Sequence, residues 1–146
     1  MAGMQGAMKG AGRSGVYLAP AAIDPVRRAA DEARLAWLDL DLAHVADKRA
    51  FLAACARQLG FPQWFGANWD ALADCLGDFS WRPAPGYVVC WRDCARLGRE
   101  APDVLATALE IFDNAAMFWK EHGKAFIVLL DAEPGGGLRL RPFAVQ

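Results

Sequence analysis

The chain has 146 residues, of which 55% are hydrophobic and 23% charged, and its net charge is −1. This length and composition predict one domain with a packed core and argue against global disorder. A chain so balanced in charge is not expected to bind nucleic acid directly, so charge-driven recognition must come from local clusters. No stretch approaches the ~18 apolar residues that a membrane span needs.

The first part of the chain predicts two segments outside the main folding unit. Residues 1–15 are rich in glycine and small residues and contain no apolar run of a secretory leader. We therefore expect a disordered leader and a cytoplasmic protein. Residues 16–34 predict an N-terminal extension that begins extended and continues as a short helix. Asp24 and Pro25 are typical of the N-cap and first position of that helix.

Residues 35–131 alternate between strand and helix patterns. Leucines alternate with aspartates in residues 35–42, which is typical of a strand with one half-exposed face. Residues 86–91 (GYVVCW) and 125–130 (AFIVLL) are continuous apolar runs, as in buried strands. Helical spacing of apolar residues fills the gaps between these strands. The order strand, helix, short helix, strand, helix, strand predicts an α/β fold with a small parallel three-stranded sheet packed with helices.

The helix ends carry recognisable signals. Asp47 and Asn68 precede two of the apolar periods and are expected to be N-caps. Gly60 and Gly123 follow helical periods and are expected to end them. Residues 132–146 lie after the last strand and are expected to form a loosely attached tail.

The cysteines show no CxxC spacing and are expected to be reduced and mostly buried; they are Cys55, Cys75, Cys90 and Cys94. Cys90 and Cys94 could hold a zinc ion, but His44 and His122 do not lie at a matching spacing. We therefore predict neither a metal ligand nor a cofactor.

The short helix expected at residues 69–76 is acidic and lies among tryptophans. Asp70 and Asp74 are four residues apart and share one face, and Asp78 follows at the same interval. Like charges at this spacing destabilise a helix by a few tenths of a kcal/mol per pair. The pattern fits two interpretations: a solvated outer face above a core of tryptophans, or a surface that meets a positive partner. The neighbouring tryptophans are Trp64, Trp69 and Trp81.

Residues 61–76 (FPQWFGANWDALADCL) resemble the signature of the barstar family: an aromatic pair, glycine, asparagine, Asp-Ala-Leu and then Asp-Cys-Leu. The similarity extends over about residues 35–131 with the same order of elements. It implies an inhibitor of barnase-type ribonucleases rather than an enzyme. We expect a monomer whose partner is a basic ribonuclease of the extracellular or toxin type. In that family the short helix and its preceding loop block a cationic active site. The implied partner-binding residues are Trp64, Gly66, Asn68, Asp70, Ala73, Asp74, Gly77 and Asp78.

The resemblance also implies individual roles. Asp74 would take the place of an RNA phosphate among the basic groups of the ribonuclease, and Asp70 would make a second charged contact. Trp64 would stack on catalytic or base-binding groups. Gly66 and Asn68 would shape the loop and offer hydrogen bonds.

The chain departs from the family pattern at several positions. Ala73 stands where the family has a contacting tryptophan, and Asp78 and Phe79 replace glycine and tryptophan. The second acidic contact of the family, on the long helix, has no clear equivalent. Asn114 is the nearest position counted from one end of that helix, and Phe118 is the nearest counted from the other.

Two other functions remain open from the residues alone. Asp70 and Asp74 could bind Mg²⁺ and support phosphoryl chemistry, although no complete set of nucleophile, base and metal ligands is apparent, and we predict no catalytic residue. Alternatively, a barstar-like module could use the same helix to bind a different basic protein or toxin nuclease, because a fold does not determine its partner.

Overall fold

A computed structural model describes residues 10–135 and 139–144 of the chain. The strands are β1 (Gly15–Leu18), β2 (Ala36–Asp41), β3 (Gly86–Arg92) and β4 (Ala125–Leu130). The helices are α1 (Asp24–Glu32), α2 (Lys48–Gln58), α3 (Trp69–Leu76), α4 (Ala95–Glu100) and α5 (Pro102–Glu121), and Ala11–Arg13 form one turn of 3₁₀ helix.

The sheet has four parallel strands in the order β1-β4-β3-β2, so the prediction of three strands is wrong. The additional strand, β1, pairs with the free edge of β4 and aligns Val16 with Val128. A strand of four residues is too short to show a period in the sequence. Its pairing depends on the exposed hydrogen-bonding groups of β4, which lies more than a hundred residues further along the chain.

The described parts of the two terminal segments are held against the sheet, which the sequence did not indicate. Residues 1–9 of the expected leader lie outside the described residues, but Ser14 is buried, at 1% exposure. The Ser14 hydroxyl accepts a hydrogen bond from the Phe126 backbone N–H at 2.9 Å and donates one to the Lys124 carbonyl at 3.2 Å. These bonds attach the end of the expected leader to the start of β4.

The tail is also attached to the sheet where it is described. The Arg141 carbonyl accepts a hydrogen bond from Leu18, and the Phe143 N–H donates one to the Leu18 carbonyl. The Phe143 ring is buried and meets the Tyr17 ring edge-on, with 5.1 Å between the centroids. The expectation of a loose tail is therefore wrong for residues 139–144. Residues 136–138 and 145–146 lie outside the described part.

The sheet separates two apolar layers. One layer, the front layer, joins the sheet to α2, α3 and α5 through residues such as Leu72, Trp91 and Phe126. The other, the back layer, joins it to α1 and includes Val26 and Ile127. Because neighbouring strand residues point to opposite faces, β3 and β4 contribute to both layers. This arrangement explains their continuous apolar sequences.

The helix ends follow local chemistry in most cases. The Asp47 and Asn68 side chains accept hydrogen bonds from Ala50 and Ala71 at 2.8 and 2.7 Å, which confirms both as N-caps. Gly60 adopts a φ of 70° after α2, where a left-handed residue ends a helix and glycine has no steric penalty.

Two local expectations differ from the structure. The first helix begins at Asp24 itself, and its N-cap is Ile23, whose side chain cannot make a capping hydrogen bond. The sequence also gave no signal for α4, because Leu97 is the one buried residue of this six-residue helix and a single residue shows no period.

The cysteines are buried free thiols, as predicted. Burial raises the pKa of Cys90 and Cys94 to about 11. Burial, with smaller effects of the Asp74 and Asp78 charges, raises the pKa of Cys75 to about 11. Thiols with such pKa values stay protonated and poorly reactive at neutral pH.

The raised pKa values predict a loss of stability at alkaline pH. Each thiol has a higher pKa in the folded state than its ordinary value of 9.0, so the unfolded chain loses its proton first. The free energy of unfolding should therefore be unaffected by the thiols below pH 9 and fall as pH rises from 9 to 11. Urea unfolding across this range measures the slope. Replacing Cys75 with alanine should make it shallower, and an unchanged slope in that variant would contradict the prediction.

Candidate functional site

The short helix α3 is fixed by one face and exposes its charges on the other. Leu72, Cys75 and Leu76 are completely buried in or beside the front layer. Asp70 and Asp74 are exposed on the opposite side of the same two turns. A further anchor comes from α5, because the Trp119 indole N–H donates a hydrogen bond to the Leu76 carbonyl at 2.8 Å. The burial of one face fixes the helix from which the two carboxylates project.

The two carboxylates have no internal counter-charge in the described part of the chain. The ion pairs formed there involve Asp39 and Glu100 with arginines far from α3 in sequence, and no hydrogen bond reaches the side chain of Asp70 or Asp74. Asp78 differs, since its carboxylate accepts a hydrogen bond from the Ser80 hydroxyl at 3.1 Å. Within the described part of the chain no positive charge offsets the repulsion between Asp70 and Asp74, so only solvent or a partner can reduce it.

The loop that leads into the acidic helix carries an exposed tryptophan. Trp64 lies in the loop before α3, and 59% of its surface is accessible. Its ring meets the edge of Trp81 at a centroid distance of 6.2 Å, and Trp81 in turn packs on Phe79. A tryptophan that packs on another aromatic ring and leaves much of its own surface exposed is typical of the side chains that anchor protein interfaces.

The loop takes its shape from Gly66 and Asn68. The Asn68 amide nitrogen donates to the Gly66 carbonyl at 3.4 Å, while its oxygen caps α3. A Cβ on Gly66 would lie 3.3 Å from that amide nitrogen, so a larger residue would crowd the cap. Both residues therefore have a structural part in the loop, and any hydrogen bond from them to a partner stays a prediction.

Ala67, in the loop before α3, adopts a backbone conformation that is unfavourable for alanine, because its φ is 52°. The left-handed region costs an L-residue about 1–2 kcal/mol, whereas glycine enters it freely but loses more entropy on folding. We expect Ala67→Gly to raise the free energy of unfolding by up to about 1 kcal/mol. Chemical denaturation would measure the change. A clear loss of stability in this variant would show that the alanine side chain makes a compensating contact.

A groove of about 370 Å³ separates α3 from α5 on the acidic side. From α3 it is lined by Ala73, Asp74 and Gly77. From α5 it is lined chiefly by Ile111, Asn114 and Phe118. The long helix therefore does approach the acidic helix, and Asn114 and Phe118 both face the same space.

Sequence reasoning missed the groove as a unit, and with it Ile111. Its walls come from residues 73–77 and 111–118, which are more than thirty residues apart in the sequence, so no local pattern reveals it. One signal was available: Met117 and Phe118 are apolar but lie off the buried stripe of α5, and both are exposed. Apolar residues outside the period of a helix often mark a contact surface.

The described residues contain no cluster of three or more His, Cys, Asp or Glu side chains that could hold a metal ion. Asp70 and Asp74 are thus two carboxylates without a third ligand in this part of the chain. Among the described helices, none is long and apolar enough to cross a membrane.

The fold and site define a small α/β domain with a parallel sheet, whose short acidic helix is exposed beside an aromatic loop. A family model described as barstar (barnase inhibitor) matches residues 35–131. The chain belongs to the barstar family, whose members are inhibitors rather than enzymes, and membership implies a ribonuclease as protein partner. No curated protein matches the chain significantly.

Proposed function

We propose that the protein inhibits a barnase-type ribonuclease by inserting α3 and the loop at residues 61–68 into the cationic active site of the enzyme. The observation that carries the proposal is the exposed, unpaired state of Asp70 and Asp74 on a helix whose other face is buried. A helix fixed in this way presents its charges without a large loss of conformational freedom on binding.

The chemistry of the site matches that of an RNA backbone. The Asp74 carboxylate would occupy a phosphate position among arginine, lysine and histidine side chains, and Asp70 would contact a further cation. Trp64 would stack on active-site groups where a base binds. The partner-binding set of Trp64, Gly66, Asn68, Asp70, Ala73, Asp74, Gly77 and Asp78 is part of this proposal.

One observation favours a second candidate, a module that binds a different basic protein or toxin nuclease through the same helix. Asn114, one of the two positions on α5 where the second acidic contact of the family would fall, is uncharged, and the adjoining groove wall is apolar at Ile111 and Phe118. A partner with an additional apolar or mixed contact at this point would fit this surface better than one that presents only cations.

Titration of a barnase-type ribonuclease with the protein tests the proposal. We expect RNA cleavage to fall linearly to zero at a 1:1 ratio, and an Asp70→Asn/Asp74→Asn double variant to lose this effect. Asp103→Asn is a matched control, because it removes an exposed carboxylate from the first turn of α5. Full cleavage in the presence of excess wild-type protein would contradict the proposal, and capture of another basic protein through α3 would favour the second candidate.

Charge steering predicts a strong effect of salt on association. Raising ionic strength from low to about 0.5 M should slow association by about tenfold, because the field of Asp70 and Asp74 is screened within a few ångströms. Dissociation should change less, since the contacts already formed exclude solvent. Stopped-flow measurement of both rates gives the comparison. An association rate independent of salt would argue against steering.

A further inference from the structure

A cavity of about 240 Å³ lies on the back face of the sheet, at the carboxyl ends of the strands. The chain leaves β1 through residues 19–23 into α1 of the back layer, whereas it leaves β3 through Asp93 into α4 and α5 of the front layer. The end of β4 lies between these two connections. Connections that diverge in this way leave a crevice, and parallel sheets commonly bind ligands in such a crevice.

The strands place charged side chains in this cavity. Trp37 of β2 packs against the back layer, and Asp39 lies two residues further on, so both face the same side of the sheet. Arg92 at the end of β3 and Asp131 directly after β4 line the same space, and Arg27 reaches it from α1. The cavity therefore contains two cations and two anions that come from four different elements.

The two arginines are available to bind an anion. Arg27 and Arg92 approach the Asp39 carboxylate with N···O distances of 3.9 and 3.5 Å, and neither contact is a hydrogen bond. Both side chains are more than half exposed, so their remaining N–H donors are accessible. Asp39 is held in place from the other side, because its carboxylate accepts a hydrogen bond from the Trp37 indole at 3.1 Å. A second carboxylate could therefore bind between the two guanidiniums.

The remaining acid of the cavity is available to bind a cation. The Asp93 backbone N–H donates to both carboxylate oxygens of Asp131, at 3.2 and 3.1 Å, which fixes the position of this side chain. Asp131 is exposed and takes no part in the ion pairs of the described chain. An ammonium group would pair with it, whereas a dianionic phosphate at the arginines would be repelled by both Asp39 and Asp131.

We propose that this cavity binds a free α-amino acid. The carboxylate of this zwitterion would pair with Arg27 and Arg92, and its ammonium group would pair with Asp131. A ligand without net charge matches a cavity whose own charges cancel. The cavity is smaller than the pockets that hold drug-sized molecules, as expected for a ligand of this size.

The remaining wall favours an aliphatic side chain on the amino acid. Pro20 and Ile23, from the connection between β1 and α1, line the cavity together with Trp37 and the buried Cys90. Burial raises the pKa of Cys90 to about 11, so its thiol stays neutral beside the ligand. Pro20, Ile23 and Arg27 precede the family match at residues 35–131, so the cavity depends on the N-terminal extension of this chain.

Titration of L-leucine into the ¹⁵N-labelled full chain, followed by NMR, tests the inference without any ribonuclease. We expect saturable shifts at the amides of residues 23, 39, 92 and 131. Arg92→Gln should weaken binding by about fivefold, as for the loss of an exposed ion pair. Arg99→Gln is the matched control, because Arg99 is an exposed arginine of α4 that does not line the cavity, and it should leave the affinity unchanged.

Two analogues of leucine test each charge of the ligand. We expect 4-methylpentanoate, which lacks the ammonium group, and 3-methylbutylamine, which lacks the carboxylate, to bind wild-type protein more weakly than leucine. In Asp131→Asn, leucine and 4-methylpentanoate should bind equally well, because the partner of the ammonium group is gone. A preference for leucine that survives in this variant would refute the assigned role of Asp131.

The remaining outcomes decide between this inference and other uses of the cavity. Tighter binding of inorganic phosphate than of leucine would overturn the zwitterion, and an equal loss of affinity in Arg92→Gln and Arg99→Gln would overturn the site. Absence of saturable shifts with both L-leucine and glycine at high millimolar concentration would overturn the inference as a whole. None of the described lining residues belongs to α3, α5 or the loop at residues 61–68, so each of these results leaves the proposed function untouched.

Discussion

Replacing Asp74 with alanine is expected to weaken binding to a barnase-type ribonuclease by at least about 30-fold, since losing one member of a buried charge pair costs about 2–5 kcal/mol. That range is a general one for protein interfaces and includes measurements on the barnase–barstar complex itself. The Asp74 side chain is exposed, has no partner in the described chain and lines the groove edge. Its loss would leave a cation of the enzyme desolvated and unpaired.

The same substitution should leave the fold intact. Asp74 contributes repulsion towards Asp70, so its removal should change the free energy of unfolding by no more than a few tenths of a kcal/mol, and in the stabilising direction. Isothermal titration and urea denaturation on one preparation give both quantities, with Asp103→Ala as the control at another exposed acid. A destabilised Asp74→Ala protein would indicate a structural role, and unchanged affinity would refute the phosphate mimic.

Removing residues 1–34 is expected to abolish cooperative folding or cause aggregation, although the family match begins at residue 35. The back face of the sheet, including Val88, Ile127 and Leu129, is completely buried under α1 and its neighbours. Burying each such side chain contributes about 1.5–3 kcal/mol, and the net stability of a domain is only about 5–15 kcal/mol. The deletion would also leave β4 as an exposed apolar edge strand.

Removing residues 1–9 is the matched control, because it leaves every described contact in place. Far- and near-ultraviolet circular dichroism with thermal unfolding compares the two deletions. We expect a cooperative transition for the shorter deletion and none for the longer one. A protein of residues 35–146 that stays monomeric and unfolds cooperatively would show that the part of the back layer supplied by residues 1–34 is dispensable.

The sequence predicted the acidic and aromatic residues of the candidate site, but it did not predict the groove beside them. The spacing of Asp70 and Asp74 placed both on one face, and the Asn68 cap began the helix where expected. The exposure of Trp64 could not be read from its residue type, because tryptophans occupy cores and surfaces alike. Trp69 shows the difference, since it is partly buried against the front layer and its ring lies 6.2 Å from that of Phe51.

The sequence by itself determined the acidic helix, the three longer strands and most helix ends, because period, caps and left-handed glycines act within a few residues. The tertiary structure decided the fourth strand, the attached tail and the groove beside Phe118. Each of these depends on surfaces brought together from distant parts of the chain. β1 forms a strand because it pairs with the free edge of β4, and the Phe143 ring is buried because it packs against the Tyr17 ring. Such pairings follow from the complete packing of the domain, which no local pattern encodes.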